Sequence, residues 1–277
     1  LQYPAQEIAC RMTLRWYRRD KRIAEGRALL ARVYPRAGTD PQAALMMLHG
    51  LVELHDEAEI DRIAGDCLTH MPDAPTLRMT YARHLAIRAR YNRAAQVLAG
   101  SPRPLSPQDA DFQRAMQRKA GILSRLTATA DADAVPHVIH ALSQNCPTRP
   151  HRTGAPVSFF SGSLGPGGAE RQMTRIAAAL GAERRVDVVL RNLSHRGNAD
   201  FFKRELTGAG VPVHALPHLV SHTLPTTAFA DLLSLLPDSL QMDCLRLAHH
   251  YAKRRPGAVY LWQDGAVIAG VLAALLA

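Results

Sequence analysis

A chain of 277 residues, 47% hydrophobic and 5% aromatic, has the length and apolar content for one large or two ordinary cores, which excludes a disordered or low-complexity protein. Its 34 Lys and Arg against 24 Asp and Glu give a formal charge of +10, which points to anionic partners: nucleic acid, acidic headgroups or phosphorylated small molecules. Cys10, Cys67, Cys146 and Cys244 form no CxxC pair, so a zinc ribbon or disulfide scaffold is excluded and a reducing, cytoplasmic compartment fits.

The arginine-rich start lacks the apolar core of a signal peptide. The longest apolar stretch, Gly265 to Ala277, is shorter than the roughly 20 residues a membrane-spanning helix needs. The chain opens on Leu1 and stops at Ala277 inside an apolar helical pattern, so part of a longer protein is expected.

Arg11 to Arg22, "RMTLRWYRRDKR", mixes five arginines and a lysine with Trp16 and Tyr17. A solvated helix face, peripheral contact with an anionic membrane, or nucleic-acid stacking would each use such a patch. Nucleic acid is not expected as a partner.

From there to about Leu142 helix follows helix. "IAEGRALLARVYP", "AALMMLHGLVELHD", "AEIDRIAGDCLTHMP", "TLRMTYARHLAIRARYNRAAQVLAGSP" and "DADFQRAMQRKAGILSRLTA" place apolar residues three or four apart. Pro35, Pro72 and Pro102 end segments at spacings of 37 and 30 residues, near the period of helix-pair repeats. "RAAQVLAGSP", Arg93 to Pro102, resembles the second helix of a tetratricopeptide repeat, which implies a helical array able to hold a protein partner. Asp109-Ala110-Asp111 and Asp131-Ala132-Asp133 spell DxD, a metal-and-diphosphate motif. They open helices rather than end a buried strand, so they are read as acids that suit the helix dipole, and no metal is expected there.

Ser143 to Gly154, within the proline-rich and basic "SQNCPTRPHRTGAP", reads as a linker between a helical domain over residues 1–142 and a second domain over 155–277. There the periodicity changes. "APVSFFSG", "RVDVVLRNL", "VPVHAL" and "GAVYLWQD" read as strands. "GGAERQMTRIAAAL", "NADFFKRELTGAG", Thr226 to Leu236, Asp243 to Arg254 and "GAVIAGVLAALLA" read as helices. Alternation of this kind predicts a parallel, Rossmann-like α/β sheet with its ligand at the carboxyl ends of the strands.

The first strand runs into Gly162, Gly165, Gly167 and Gly168 and then into a helix. A helix start offers unpaired N–H groups and the positive end of the dipole, and glycines let an anion approach the backbone. The alternative is a turn that only joins strand to helix. The P-loop spelling fails, because Gly168 and Ala169 stand where lysine and Ser/Thr are required. The dinucleotide spelling fails at its third glycine, where Glu170 stands. Arg191, after the second strand, keeps an NADP-dependent oxidoreductase open through a 2′-phosphate contact.

A third spelling fits. "GPGGAER", "GNADFFKRELTGAGVPVHAL" and "VYLWQDGAVIAGVLAALLA" resemble, in order, elements of the N-terminal domain of glycosyltransferase family 4, over about Ala155 to Ala277. The resemblance implies one half of a GT-B enzyme, with a nucleotide-sugar donor and a glycan or lipid-linked acceptor in surface polysaccharide or glycolipid synthesis. It implies no cofactor and no metal, and a cytoplasmic place at the inner face of the membrane.

Carried onto this chain, Gly165, Gly167 and Gly168 give N–H groups and space, with any positive φ of the loop falling on them. Glu170 meets a ligand or only complements the dipole. Arg171 reaches a phosphate or an acceptor, or is solvated. Trp262, Gln263 and Asp264 line the acceptor side of the rim, or Trp262 is core and Asp264 a helix cap. The family's donor-binding glutamates and reacting-sugar histidine fall beyond Ala277. Catalytic residues are therefore unassigned, and this chain alone is expected to be inactive. An interaction module with a non-catalytic α/β part is the rival reading.

His214, His218 and His222 are spaced like helical metal ligands, but Pro212, Pro217 and Pro225 argue against a helix, and they read as loop histidines. His249 and His250 read as one surface and one packing histidine.

Overall fold

A computed structural model describes residues 4–129, 133–146, 154–221 and 227–277. The chain divides into two compact units, Leu1–Asp133 and Ala134–Ala277.

The first unit is helical: α1 Pro4–Arg19, α2 Ile23–Val33, α3 Pro41–Leu54, α4 Glu57–His70, α5 Pro75–Ile87, α6 Tyr91–Ala99 and α7 Pro107–Leu126. No strand lies among its described residues. Helices α3, α5 and α7 each open on a proline, at Pro41, Pro75 and Pro107, 34 and 32 residues apart. Proline suits a first helical turn, where its missing N–H would have no partner anyway. The long run from Thr76 is two helices, because Ala89 sits at φ 58°, in the left-handed region.

Neighbouring helices interlock. A Cβ on Gly26 would stand 2.6 Å from Leu54 Cδ2, and one on Gly50 would collide with Leu30 and press on Leu14. Bare backbone at these two points lets α2 and α3 close on each other's leucines.

The second unit begins with α8, Ala134–Gln144, which packs against helices of the α/β part. The division therefore falls earlier than the sequence boundary at Leu142. Then come β1 Val157–Ser161, α9 Gly168–Glu183, β2 Val186–Leu190, α10 Lys203–Gly208, β3 Val213–Ala215, α11 Thr227–Ser234, α12 Asp238–Arg254, β4 Ala258–Trp262 and α13 Asp264–Leu276. Of the expected linker, residues 147–153 lie outside the described residues.

The four strands form one parallel sheet in the order β3-β2-β1-β4, the Rossmann-like arrangement that the alternation predicts. On one face Val157, Phe159, Val186, Val188 and Leu190 pack against Met173 and Ala177 of α9 and Leu206 of α10. Phe159 stacks on Tyr260 of β4 at 4.9 Å between ring centres. On the other face α13 comes so close to β4 that a Cβ on Gly270 would collide with Leu261. Tyr260, Val267 and Ile268 are exposed along this edge. No described helix is long and apolar enough to cross a membrane. Cys10, Cys67 and Cys244 are buried free thiols and Cys146 is exposed.

Candidate functional site

The order of the strands decides where the site sits. From β1 the chain builds β2 and β3 to one side, then crosses back to place β4 on the other side of β1. Strand order reverses between β1 and β4, and the carboxyl ends of two such strands frame the crevice where parallel sheets bind ligands. The glycine loop leaves β1 at this point.

Both flanks hold the loop. On the β2 side, Asn192 N–H donates to Gly162 O at 2.9 Å and Arg191 N–H to Ser161 O at 3.0 Å. Leu164, the loop's apolar residue, is fully buried, donating to Ala199 O at 2.7 Å and accepting from Phe202 N–H at 3.2 Å. On the β4 side Gln263 is the clamp. Its Oε1 accepts from Gly162 N–H at 3.1 Å and from the Ser161 hydroxyl at 3.3 Å, while its Nε2 donates to Glu170 Oε1. Gln263 makes these bonds at φ 76°, ψ 145°, a strained backbone for a non-glycine residue. Trp262 Nε1 donates to Ala169 O at 2.9 Å, while its ring packs on the core. Trp262 therefore packs on the core, as one of its two readings had it, and its ring N–H ties β4 to the start of α9.

What remains open is the helix start. Gly167 is the residue before α9, with no side-chain cap. Glu170 reaches back over it, so that a Cβ on Gly167 would collide with the carboxylate. An anionic group beside the helix N-terminus complements the dipole. It also makes the seat mixed in character, with N–H groups of the first turn beside a carboxylate. Such a seat suits a hydroxyl-bearing group, which both accepts and donates, better than a bare diphosphate. A Cβ on Gly168 meets nothing within 4 Å. Arg171 is exposed, its guanidinium 6.0 Å from the centre of the Phe202 ring.

Two expectations change here. No loop glycine has a positive φ; the described glycines that do are Gly154, Gly197 and Gly210. A Cβ at Gly167 would displace the Glu170 carboxylate, and one at Gly162 would stand 2.7 Å from Gln263 Oε1, so side chains at these two positions would disturb the clamp. Helix α13 begins at Asp264, whose side chain lies outside the described residues.

Other candidates fall into ordinary roles. Arg191 pairs with Asp243 at 2.7 Å, which occupies the residue that a 2′-phosphate would need. Asp109 lies in the first turn of α7, bonded to the capping Ser106. Asp131 and Ala132 lie outside the described residues, as does His222. In α1, Arg11 and Arg15 both bind Glu53, and Arg22, just before α2, covers the ring faces of Trp16 and Tyr17 at 5.0 and 5.2 Å.

One polar cluster was not anticipated. Asp187 of β2 is fully buried, with Oδ2 2.5 Å from His250 Nε2, 3.6 Å from Arg254 Nε and 3.8 Å from His214 Nε2. Burial acts to raise the Asp187 carboxyl, yet the His250 contact and the Arg254 charge outweigh it and hold it below the usual carboxylate range. Burial, and then repulsion from His250, push His214 down. The signal was present: an aspartate inside "VDVVL", a strand otherwise wholly apolar, needs a buried partner.

No protein-family model matches the chain. Over an alignment of 287 residues the chain is 25% identical to the Vi polysaccharide biosynthesis protein VipC/TviE of Salmonella typhi. The alignment covers 94% of this chain, and so runs through both units, but only 49% of that protein. The chain spans about half the length of the curated relative it matches.

Proposed function

We propose that this chain is the acceptor-side part of a sugar-nucleotide-dependent glycosyltransferase of family 4 type, acting in surface polysaccharide or glycolipid synthesis. The observation that carries the reading is the clamped loop: Gly162 is pinned from both flanks and Leu164 from the β2 side, while Gly168 at the start of α9 is left open at the strand-order reversal. Similarity to a polysaccharide biosynthesis protein supports the same class of product. In this reading a glycan or lipid-linked acceptor lies along Gly165, Gly167, Gly168, Arg171, Trp262, Gln263 and Asp264, and the donor nucleotide is held largely by residues outside this chain. The chemistry uses no cofactor or metal. The enzyme works in the cytoplasm at the inner membrane face, and Ile8, Met12 and Trp16, exposed among the arginines of α1, support peripheral contact with anionic lipid.

The test is transfer of labelled sugar by the full-length protein that carries this chain. Gly168→Val places a branched side chain in open space at an ordinary helical position, so the fold should survive and transfer should be abolished. Arg171→Ala should lower transfer by about 10- to 100-fold, the loss of one charge-assisted contact. Normal transfer by a folded Gly168→Val protein would reduce the loop to a connector.

A second reading is an interaction module built on tetratricopeptide-like repeats. A cleft of about 370 Å³ at the openings of α3 and α5, lined by Asp40, Gln42, Leu45, Asp73 and Thr76, favours it. Retained partner capture by a chain whose transfer is abolished would separate the two readings.

A further inference from the structure

On the face of the sheet turned away from α9, three donors converge from three elements: Asp187 on β2, His214 on β3 and His250 on α12. One carboxylate oxygen and two ring nitrogens all lie within 4.8 Å of one another. Asp187 and His250 are more than nine-tenths buried, and His214 is 36% exposed, which leaves an entry path from solvent. The cluster is also sparsely satisfied: Ser158, opposite Asp187 in the sheet, helps to hold its carboxylate ionised, while the Tyr251 hydroxyl is buried without a hydrogen-bond partner. A buried orphan hydroxyl in such a cluster asks for a further occupant.

We infer that Asp187, His214 and His250 form a binding site for a divalent transition metal, with Zn2+ as the occupant. Two imidazoles and one carboxylate suit Zn2+ over Mg2+ or Ca2+, which prefer oxygen donors. Zinc bonds to such donors at about 2.0–2.2 Å, so tetrahedral ligand atoms stand about 3.4 Å apart. Here Asp187 Oδ2 is 2.5 Å from one histidine nitrogen and 3.8 Å from the other, so side-chain adjustments of about 1 Å complete the set. The metal replaces the direct Asp187–His250 contact, and a proton shared there leaves to solvent. Arg254 is the opposing group, a cation 3.6 Å from Asp187 Oδ2. It ends α12 and is 37% exposed, so it can turn outward when the metal enters.

We assign it a structural role, with water in the fourth tetrahedral position. It ties β3, an edge strand of three residues, to β2 and α12. Zinc therefore acts here as a staple between sheet and helix.

The experiment uses the purified chain, free of any affinity tag and stripped with chelator. Zn2+ alone is titrated by calorimetry, and Co2+ alone by its visible ligand-field absorbance. One equivalent should bind with Kd below about 10 µM, and a hundredfold excess over Kd should raise the unfolding midpoint by about 5 °C. His214 is partly exposed, so His214→Ala should fold like the metal-free parent and lose affinity by about 100-fold or more. His218→Ala, a nearby histidine outside the cluster, should bind like the parent. Two results overturn the site: no binding at about 0.1 mM Zn2+, or binding that survives His214→Ala.

Discussion

The two units place their charged residues differently. In the helical unit, acids and bases meet in scattered pairs: Arg11 and Arg15 with Glu53, Arg27 with the buried Asp56, Arg90 with Asp61, and Arg62 with Glu59 and Asp66 within α4. In the α/β unit, polar groups gather at two places around a mostly apolar sheet, Asp187 with its histidines on the face turned away from α9 and Gln263 with Glu170 at the carboxyl rim. A stack of helices needs only nearest neighbours, so no one place in it is special. A parallel sheet points all its strand ends the same way, which concentrates chemistry there.

Two tryptophans, Trp16 and Trp262, give each unit its own fluorescent reporter, and single-tryptophan variants read the units separately. The largest effect is expected from Phe159→Ala, which empties a fully buried position in the sheet and should cost about 3–5 kcal/mol. The Trp262 transition should move to lower denaturant, with the Trp16 transition as control; a Phe159→Ala chain of parental stability would break the contrast. Leu30→Ala removes the knob that fills the gap at Gly50 and should lower the Trp16 transition by about 2–4 kcal/mol.

Asp187→Asn tests the buried polar cluster on the sheet. It leaves His250 without its charged partner and should cost about 2–3 kcal/mol, less than for a fully enclosed pair because Arg254 is partly solvated. The same cluster sets a pH dependence. The folded unit resists protonating His214 and Asp187, while the unfolded chain takes protons at ordinary values. Stability should therefore be full above about pH 6.5, decline below it as the unfolded histidine charges, and decline again below about pH 3.9. A Trp262 urea midpoint that holds steady or rises between neutral and mildly acid pH would contradict this.

The smallest effect belongs to the surface. Arg15, with Arg11, holds the Glu53 carboxyl down at about 2, so its contribution is present above the ordinary glutamate range and lost as pH falls through that value. Glu53→Gln should lower the Trp16 transition by about 1 kcal/mol or less. A loss as large as that of Asp187→Asn would erase the distinction between surface pairs and buried cluster.

What could be read from the sequence was local. "VSFFS" and "VDVVL" announce buried strands by composition, and the shift from helical period to alternation marks the α/β part. Gln263 was legible as a rim residue, since it ends a strand. Its role as a clamp was not, because that rests on a partner 101 positions away. Asp187 and His250 are 63 positions apart, and neither looks special until β2 and α12 are packed together. Helix α8 has the same period as the helices before it, and only packing assigns it to the second unit. Helix α12 begins at Asp238, five residues before the predicted start at Asp243, because Pro237 serves as its first boundary.

The bond between Gly162 and Gln263 has a consequence for folding order. Closing a loop of about 100 residues costs about 4 kcal/mol of chain entropy, and nothing repays it until β4 has docked beside β1. Strands β1, β2 and β3 follow one another closely and can pair first. We expect the Ser161–Gly168 loop to gain its final shape in the last folding phase, although it is among the first parts of the sheet to be made. Pulse-labelled hydrogen exchange would place protection of the Gly162 amide after that of Val188, and simultaneous protection would refute the sequence of events. A ribosome-bound chain that ended before Ala258 would thus carry the glycines without the geometry that makes them a seat.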